Sequence, residues 1–341
     1  MKAEEIFKYG KLEQCFVIGY FGGTNFGDEL LLEIFQNLLF KNGVKSAKIY
    51  YTKPDIFKEY HHDFGYKLVN PSRISQLVKA IVSSRSIVIG GGGHWGLDSN
   101  LNILLLGIIL FLARYILSKD IYLVSVGFYD SVNKYGRLSA FFSALAANKI
   151  YARDQESYDN FSKYSNSVVI DEDLSTLLPQ IDGAPYYADA KNIIESYSLK
   201  DTQIIFGVRR FTSLNKSKIN IAFVEALKLI NDQKVAVFGF ENLPETRDLI
   251  HWYKTQVGEK SNIAYYLYNR NPLALFFALR SLSINSIFAP QYHVQIIAQL
   301  SKIPFFPLAY DNKVSQMHKK YFVKTIAVSA ITPNMLIDFV K

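Results

Sequence analysis

Residues 15–43 read CFVIGYFGGTNFGDELLLEIFQNLLFKNG, and this stretch decides the fold class. Cys15 to Tyr20 is a short apolar run followed by glycines, the pattern of a buried strand entering a turn. Asp28 then opens a run with apolar residues all along it, closed by Asn42-Gly43, a helix stop. AKIYYT, residues 47–52, reads as the next strand. Strand, glycine turn, helix and strand together are the unit of a parallel sheet covered by helices.

The same rhythm runs outward from this unit. Pro54 to Asn70 is aromatic and irregular, Pro71 to Ser84 reads as a helix, and SIVIGGGGHWG is a buried strand running into a glycine loop. Further strands are expected at Ile121 to Gly127, in KIYARD and in SVVID, with helices between them. Pro179 to Lys200, with Asp182-Gly183-Ala184-Pro185, breaks the pattern and reads as a linker. Beyond it the alternation restarts with TQIIFGVRRF and KVAVFGF as strands and continues to IPFFPLAY. A length of 341 residues fits two domains at roughly 100–200 residues each. The expectation is an α/β chain of two Rossmann-like domains facing a cleft, at 1–180 and 185–341, with the final helix able to pack back on the N-terminal domain. Ligands of such sheets bind beyond the carboxyl ends of the strands, so the loops there are where chemistry is sought.

Composition narrows the classes. Apolar residues make up 49% and charged residues 20%, which excludes a disordered chain. The net charge is +8 and the isoelectric point about 9.2, favouring anionic partners. A single cysteine, Cys15, excludes an intrachain disulfide and a Cys-rich zinc site and suits a cytoplasmic setting. The N-terminus, with Glu4 and Glu5, lacks the apolar core of a signal peptide. Leu101 to Leu117 is strongly apolar but broken by Arg114 and shorter than the ~20 residues of a membrane span. It reads as a buried helix or as one resting on a membrane surface. No zinc-finger, RRM or helix-turn-helix pattern accompanies basic–aromatic stretches such as His318 to Phe322, so nucleic acid is not an expected partner.

Four places carry candidate chemistry. In the first glycine loop, Gly22 to Gly27 has the spacing of a phosphate-binding loop, but Asp28-Glu29 stand where Lys-Ser/Thr would be needed. Gly22 and Gly23 then line a tight turn. Asp28 and Glu29 either complement the helix dipole or present a base or hydroxyl binder to the cleft. In the second loop, Gly90 to Gly93 can bring backbone N–H groups to an anion; Gly91, Gly92, Gly93 and His94 are its candidate lining. Arg209 and Arg210 end a strand, where a guanidinium can grip carboxylate or phosphate by paired hydrogen bonds, and strand alternation lets only one of them face the cleft. Finally, Pro290-Gln291-Tyr292-His293 stands between strand and helix, and Tyr310-Asp311-Asn312-Lys313 follows the last strand in the same way. Asp171-Glu172-Asp173 has a metal-binding spacing, but no histidine or further carboxylate lies near it in sequence, so no metal is expected.

The ordered set GYFGGTNFGDELLL, IVIGGGGHWGLD, SVGFY, YARDQESYDNF, DEDLSTLLP, FGVRRF and YHVQIIAQLSKIPFFPLAYDNKV, over roughly residues 16–315, resembles the polysaccharide pyruvyl transferase family. The resemblance implies a GT-B-type architecture with the acceptor on the N-terminal domain and the donor on the C-terminal one. It implies transfer of the pyruvyl carbons of phosphoenolpyruvate (PEP) to sugar hydroxyls of a cell-surface polysaccharide or lipid-linked precursor, with ketal formation. The enzyme would need no cofactor and would be cytoplasmic, with peripheral membrane contact as an option. On this reading His293 is the general acid or a phosphate partner, Asp28 or Glu29 orients the acceptor hydroxyl, and Arg209, Arg210, Gln291 and Lys313 form the donor site. One position departs from the pattern: members commonly have Arg-Leu-His where this chain has Gln291-Tyr292-His293, and glutamine brings no charge. Either Arg209 and Arg210 with lysines hold the anion, or the donor has changed. The alternatives are a GT-B glycosyltransferase using a nucleotide sugar and a non-catalytic glycan-binding or assembly protein.

Overall fold

The structure, a computed structural model, describes residues 4–8, 12–95, 100–130, 133–211, 214–321, 323–327 and 330–340. The chain divides into two compact units: residues 1–23 with 28–181, and residues 24–27 with 182–341.

The first unit is built on seven strands: β1 (Cys15–Ile18), β2 (Lys48–Tyr50), β3 (Lys67–Val69), β4 (Ser86–Trp95), β5 (Asp120–Phe128), β6 (Lys149–Ala152) and β7 (Val168–Ile170). All their pairings are parallel, in the order β3-β2-β1-β4-β5-β6-β7. Strands such as CFVI are buried at every position, because helices cover both faces of a parallel sheet. Right-handed crossovers send the chain in opposite directions from β1. The helix Phe26–Lys41 leads to β2, whereas the helices Ile74–Ser83, Leu101–Tyr115 and Lys134–Ala146 lie around β4 to β6. Ile81, Leu110 and Ala140 of those three helices share one core with Phe16, Ile87 and Leu123 of the sheet. The strand order reverses between β1 and β4, which makes their carboxyl ends the switch point of this sheet.

Two local expectations are corrected. The irregular stretch after Pro54 contains a strand, β3. The glycines at 90–93 are not a loop; they lie inside β4, where Gly90 pairs with Val124 and Gly92 with Val126. Their role is close approach. A side chain at Gly90 would overlap the Phe35 ring, and a Cβ at Gly91 would stand 2.6 Å from Leu31, so the run lets helix Phe26–Lys41 lie against the strand. Gly91 and Gly92 also have φ of +57° and +92°, beside a register shift, where only glycine is unstrained.

The second unit has β8 (Ile204–Val208), β9 (Val235–Gly239), β10 (Ile263–Leu267) and β11 (Ser286–Phe288), parallel in the order β10-β9-β8-β11, and a short pair, β12 (Leu308–Ala309) with β13 (Ile326–Ala327). Its order reverses between β8 and β11, so residues 209–211 and 289–291 leave from the switch point. The supposed linker is folded. After Ile181 the chain enters helix Tyr187–Ser196, with Tyr186 stacked on Phe277 at 6.1 Å and Tyr187 edge-on to it at 5.5 Å. The final helix, Pro333–Val340, docks in this unit, where Leu336 joins Ile219 and Phe223 in the core.

Candidate functional site

In the first unit, the turn after β1 is fixed from inside. Gly22 has φ +85°, and its N–H donates to Glu29 Oε1 at 2.9 Å. Glu29 and Glu33 are one helical turn apart and share a face; both are fully buried. His61 lies between them, Nε2 at 2.8 Å from Glu29 Oε2 and Nδ1 at 2.8 Å from Glu33 Oε2. Burial alone would lower the pKa of this imidazole, but its hydrogen bonds to the two carboxylates and their charges outweigh that and raise it to about 9. Glu29 therefore holds the Gly22 turn and does not present a carboxylate to a ligand, which corrects its assignment as a catalytic candidate. Asp28, one position earlier, points elsewhere. It is half-buried, and its Oδ1 stands 3.8 Å from the open Cβ position of Gly92, at the β1–β4 switch point. Gly23 is exposed. The side chain of His94 and the surroundings of Gly93 lie outside the described residues.

A pH dependence follows from His61. Its folded pKa is raised, so its contribution is complete below the ordinary value of 6.5 and is lost as pH climbs through about 9. Unfolding free energy is expected to fall across that window by on the order of 3 kcal/mol. Urea titrations at stepped pH check this, and Glu33→Gln should move the loss to lower pH.

The other motifs of the first unit are structural. Asp154 caps helix Gln155–Ser162 by accepting the Ser157 N–H at 2.8 Å. Arg153 is buried, donating to Tyr129 Oη at 3.0 and 2.6 Å. Asp173 caps the next turn, accepting from Ser175 N–H at 3.0 Å and Ser175 Oγ at 2.6 Å, with Arg153 Nη1 at 3.7 Å. Among the described residues no cluster of histidine, cysteine and carboxylates could hold a metal ion.

The second unit gathers more of the expected residues. Just past the end of β8, Arg209 is half-buried and Arg210 is exposed. Arg209 Nη1 donates to Tyr310 Oη at 2.7 Å, its guanidinium carbon stands 5.1 Å from the centre of that ring, and Nη2 is 3.7 Å from Glu241 Oε1. Burial lifts the Tyr310 phenol well above its ordinary pKa, with Arg209 pulling the other way, so it remains a neutral partner. Lys313 Nζ lies 6.0 Å from the Tyr310 ring centre and 5.9 Å from that of Tyr292. Gln291 is 7% exposed. Its Nε2 donates to Val208 O at 2.9 Å, while Oε1, beside Gly207, has no hydrogen-bond partner among the described residues. His293 is the second residue of helix Tyr292–Leu300, edge-on to Tyr292 at 5.1 Å.

Residues 24–27 complete this unit. The Phe26 N–H donates to Phe240 O at 2.9 Å and the Asn242 N–H to Thr24 O at 3.0 Å. Asn25 Nδ2 donates to Glu241 Oε1 at 2.9 Å, and Asn25 Oδ1 accepts the Gly27 N–H at 2.9 Å. Any side chain on Gly27 would overlap the His293 imidazole. Asn25 and Glu241 were not singled out from sequence for this site, whereas Tyr310 stands in the Tyr310–Lys313 stretch already named. Glu241 stands two residues past the end of β9, as Arg209 stands just past the end of β8, and that placement was the available signal. His318 is also buried, hydrogen-bonded to Gln295 at 2.6 Å, and burial lowers its pKa to about 4; it belongs to the core.

The second unit holds groups whose chemistry suits an anion and a proton, although Arg209 is paired with Glu241 and Lys313 lies 3.6 Å from Asp311. Arg209 and Lys313 supply positive charge, the start of helix Tyr292–Leu300 supplies backbone N–H groups, and His293 supplies an imidazole. A family model described as polysaccharide pyruvyl transferase matches residues 25–312. No curated protein matches the chain. Among solved structures, the UDP-GlcNAc 2-epimerase of Methanocaldococcus jannaschii is similar at 13% identity, covering 96% of this chain and 91% of that one with a TM-score of 0.65. The UDP-GlcNAc 2-epimerase of Neisseria meningitidis is similar at 12% identity, covering 95% and 90%, with a TM-score of 0.62. At these identities the likeness is one of fold, and it makes this an α/β chain of GT-B type.

Proposed function

We propose that this chain, which belongs to the polysaccharide pyruvyl transferase family, transfers the pyruvyl carbons of PEP to hydroxyls of a cell-surface glycan or its lipid-linked precursor and closes a pyruvate ketal. The observation that carries the reading is the gathering of Arg209, Gln291, His293 and Lys313 around the β8–β11 switch point of a single unit. PEP presents a carboxylate and a phosphate within one small molecule. Arg209 and Lys313 balance that charge where Gln291 brings none, and Gln291 orders the strand end by its bond to Val208.

In the reaction, His293 gives a proton to the methylene carbon of PEP, and the neighbouring carbon becomes cation-like. An acceptor hydroxyl forms a C–O bond to it and releases its proton. A second hydroxyl of the same sugar then adds as the bond to the phosphate oxygen breaks, giving ketal and inorganic phosphate. An imidazole has two ring nitrogens, one able to give a proton and one able to take it back, which suits this role. The scheme uses no metal or cofactor and runs in the cytoplasm, where PEP is made.

Arg209 and Arg210 separate this reading from a generic basic surface. Hydrogen bonds to charged groups contribute about 1.5–3 kcal/mol each. Arg209→Ala is therefore expected to weaken PEP binding roughly 10- to 150-fold, and exposed Arg210→Ala to leave it within about twofold. Calorimetric titration with PEP and with nucleotide sugars measures this. Tight binding of a UDP-sugar with none of PEP would instead favour a glycosyltransferase.

A further inference from the structure

We propose that the outer face of three helices in the first unit, Ile74–Ser83, Leu101–Tyr115 and Lys134–Ala146, is a docking surface for an anionic lipid bilayer. This goes beyond the single apolar helix that the sequence suggested, and it does not depend on the identity of the donor. The three helices lie on one side of the seven-stranded sheet, because their inner faces share one core. They also touch one another. Phe111 meets Phe142 at 5.6 Å, Tyr115 Oη donates to Leu145 O at 3.0 Å, and Lys119 Nζ just beyond the second helix donates to Val82 O at 2.6 Å.

Their outer faces are apolar where a solvated helix would be polar. On the first helix Ile74, Val78 and Val82 are 75%, 52% and 53% exposed, at a spacing of four residues. The second exposes Leu105, Leu112 and Tyr115, and Ile116 follows at 69%. The third exposes Leu138, Phe141 and Leu145. Scattered exposed apolar residues need no explanation, but a face shared by three adjacent helices does.

Charge chooses the occupant. None of the three helices contains a single Asp or Glu, and they carry Lys79, Arg114, Lys134 and Arg137. Lys79, Lys134 and Arg137 are exposed. Arg114 is paired with Asp120, just past its helix, at 3.3 Å, and the apolar face with the exposed cations Lys79, Lys134 and Arg137 fits the interface of an anionic leaflet. A second copy of the chain fits poorly, since a two-fold interface opposes a surface to itself and would bring these cations together with no acidic partner on the helices.

The test is sedimentation of the intact protein with vesicles of phosphatidylcholine, with and without phosphatidylglycerol. The protein should pellet with the phosphatidylglycerol vesicles and be released by high salt. Each basic side chain at an anionic surface changes partition roughly fivefold, so Lys79→Glu with Arg137→Glu should weaken binding about 25-fold or more. Val78→Ser with Ile116→Ser should also weaken it, with PEP binding and the circular dichroism spectrum unchanged in both variants. Failure to pellet with phosphatidylglycerol at low salt would overturn the proposal. So would a dimer in sedimentation equilibrium that Ile116→Ser dissolves, which would assign the face to a second copy.

Discussion

Replacing His293 by glutamine should lower kcat roughly 100- to 10,000-fold, the usual range for removing a general acid, while leaving the fold intact. Glutamine keeps size and polarity at the second position of helix Tyr292–Leu300 but cannot give up a proton near neutral pH. Binding of PEP, carried by Arg209 and Lys313, should change far less than turnover. The acidic group should also vanish from the pH–rate profile. A companion variant addresses position as well as identity. Gly27 packs so close to the imidazole that even a methyl group would overlap it. Gly27→Ala should therefore lower kcat by displacing His293, with the pH–rate profile shifted but still present. If His293→Gln retained wild-type turnover, the proton would have to come from elsewhere.

The largest stability effect is expected at His61. Leucine there would leave Glu29 and Glu33 facing each other inside the first unit, both fully buried, with no cation between them. Removing one partner of a buried ionic group costs about 3–5 kcal/mol, read as a lower urea midpoint. Glu29→Gln and Glu33→Gln added to His61→Leu should recover part of it, because the uncompensated charge is gone. The Gly22 turn should loosen in the single variant, since its N–H is held by Glu29 at 2.9 Å. That turn leaves β1 at the switch point of its sheet.

Periodicity carried most of the architecture. The apolar run at Cys15, the helix closed by Asn42-Gly43 and the strands before Arg209 and Gln291 all stand where their patterns predict. Long-range partners left no such trace. Gly90 and Gly91 imitate a ligand loop because the same residue serves close backbone approach and close helix packing, and the positions of Phe35 and Leu31 show the packing. Glu29 is a carboxylate in the first helical turn, as its position in the sequence suggests, but its pairing with His61, distant in sequence, left no trace there. Residues 24–27 read as the tail of a turn, yet they belong to the second unit through Phe240, Glu241 and Asn242. Short β3 was hidden among the aromatic residues that follow Pro54, three residues being too few to show alternation.

Tyr310 and Glu241 hold the Arg209 guanidinium in place before any ligand arrives, Glu241 offsetting part of its charge. Such preorganisation reduces the ordering cost of binding a small anion. It also explains how a chain with Gln291 in place of an arginine could keep a doubly charged donor.

The most direct test is mass spectrometry of diol-bearing sugars, free and linked to polyprenyl diphosphate, after incubation with the protein and PEP, with phosphate measured in parallel. Pyruvyl transfer predicts that an acceptor gains the mass of one pyruvate less one water for each phosphate released, and that Arg209→Ala and His293→Gln both suppress the gain. An acceptor that gains a hexose from a nucleotide sugar, with PEP untouched, would contradict it.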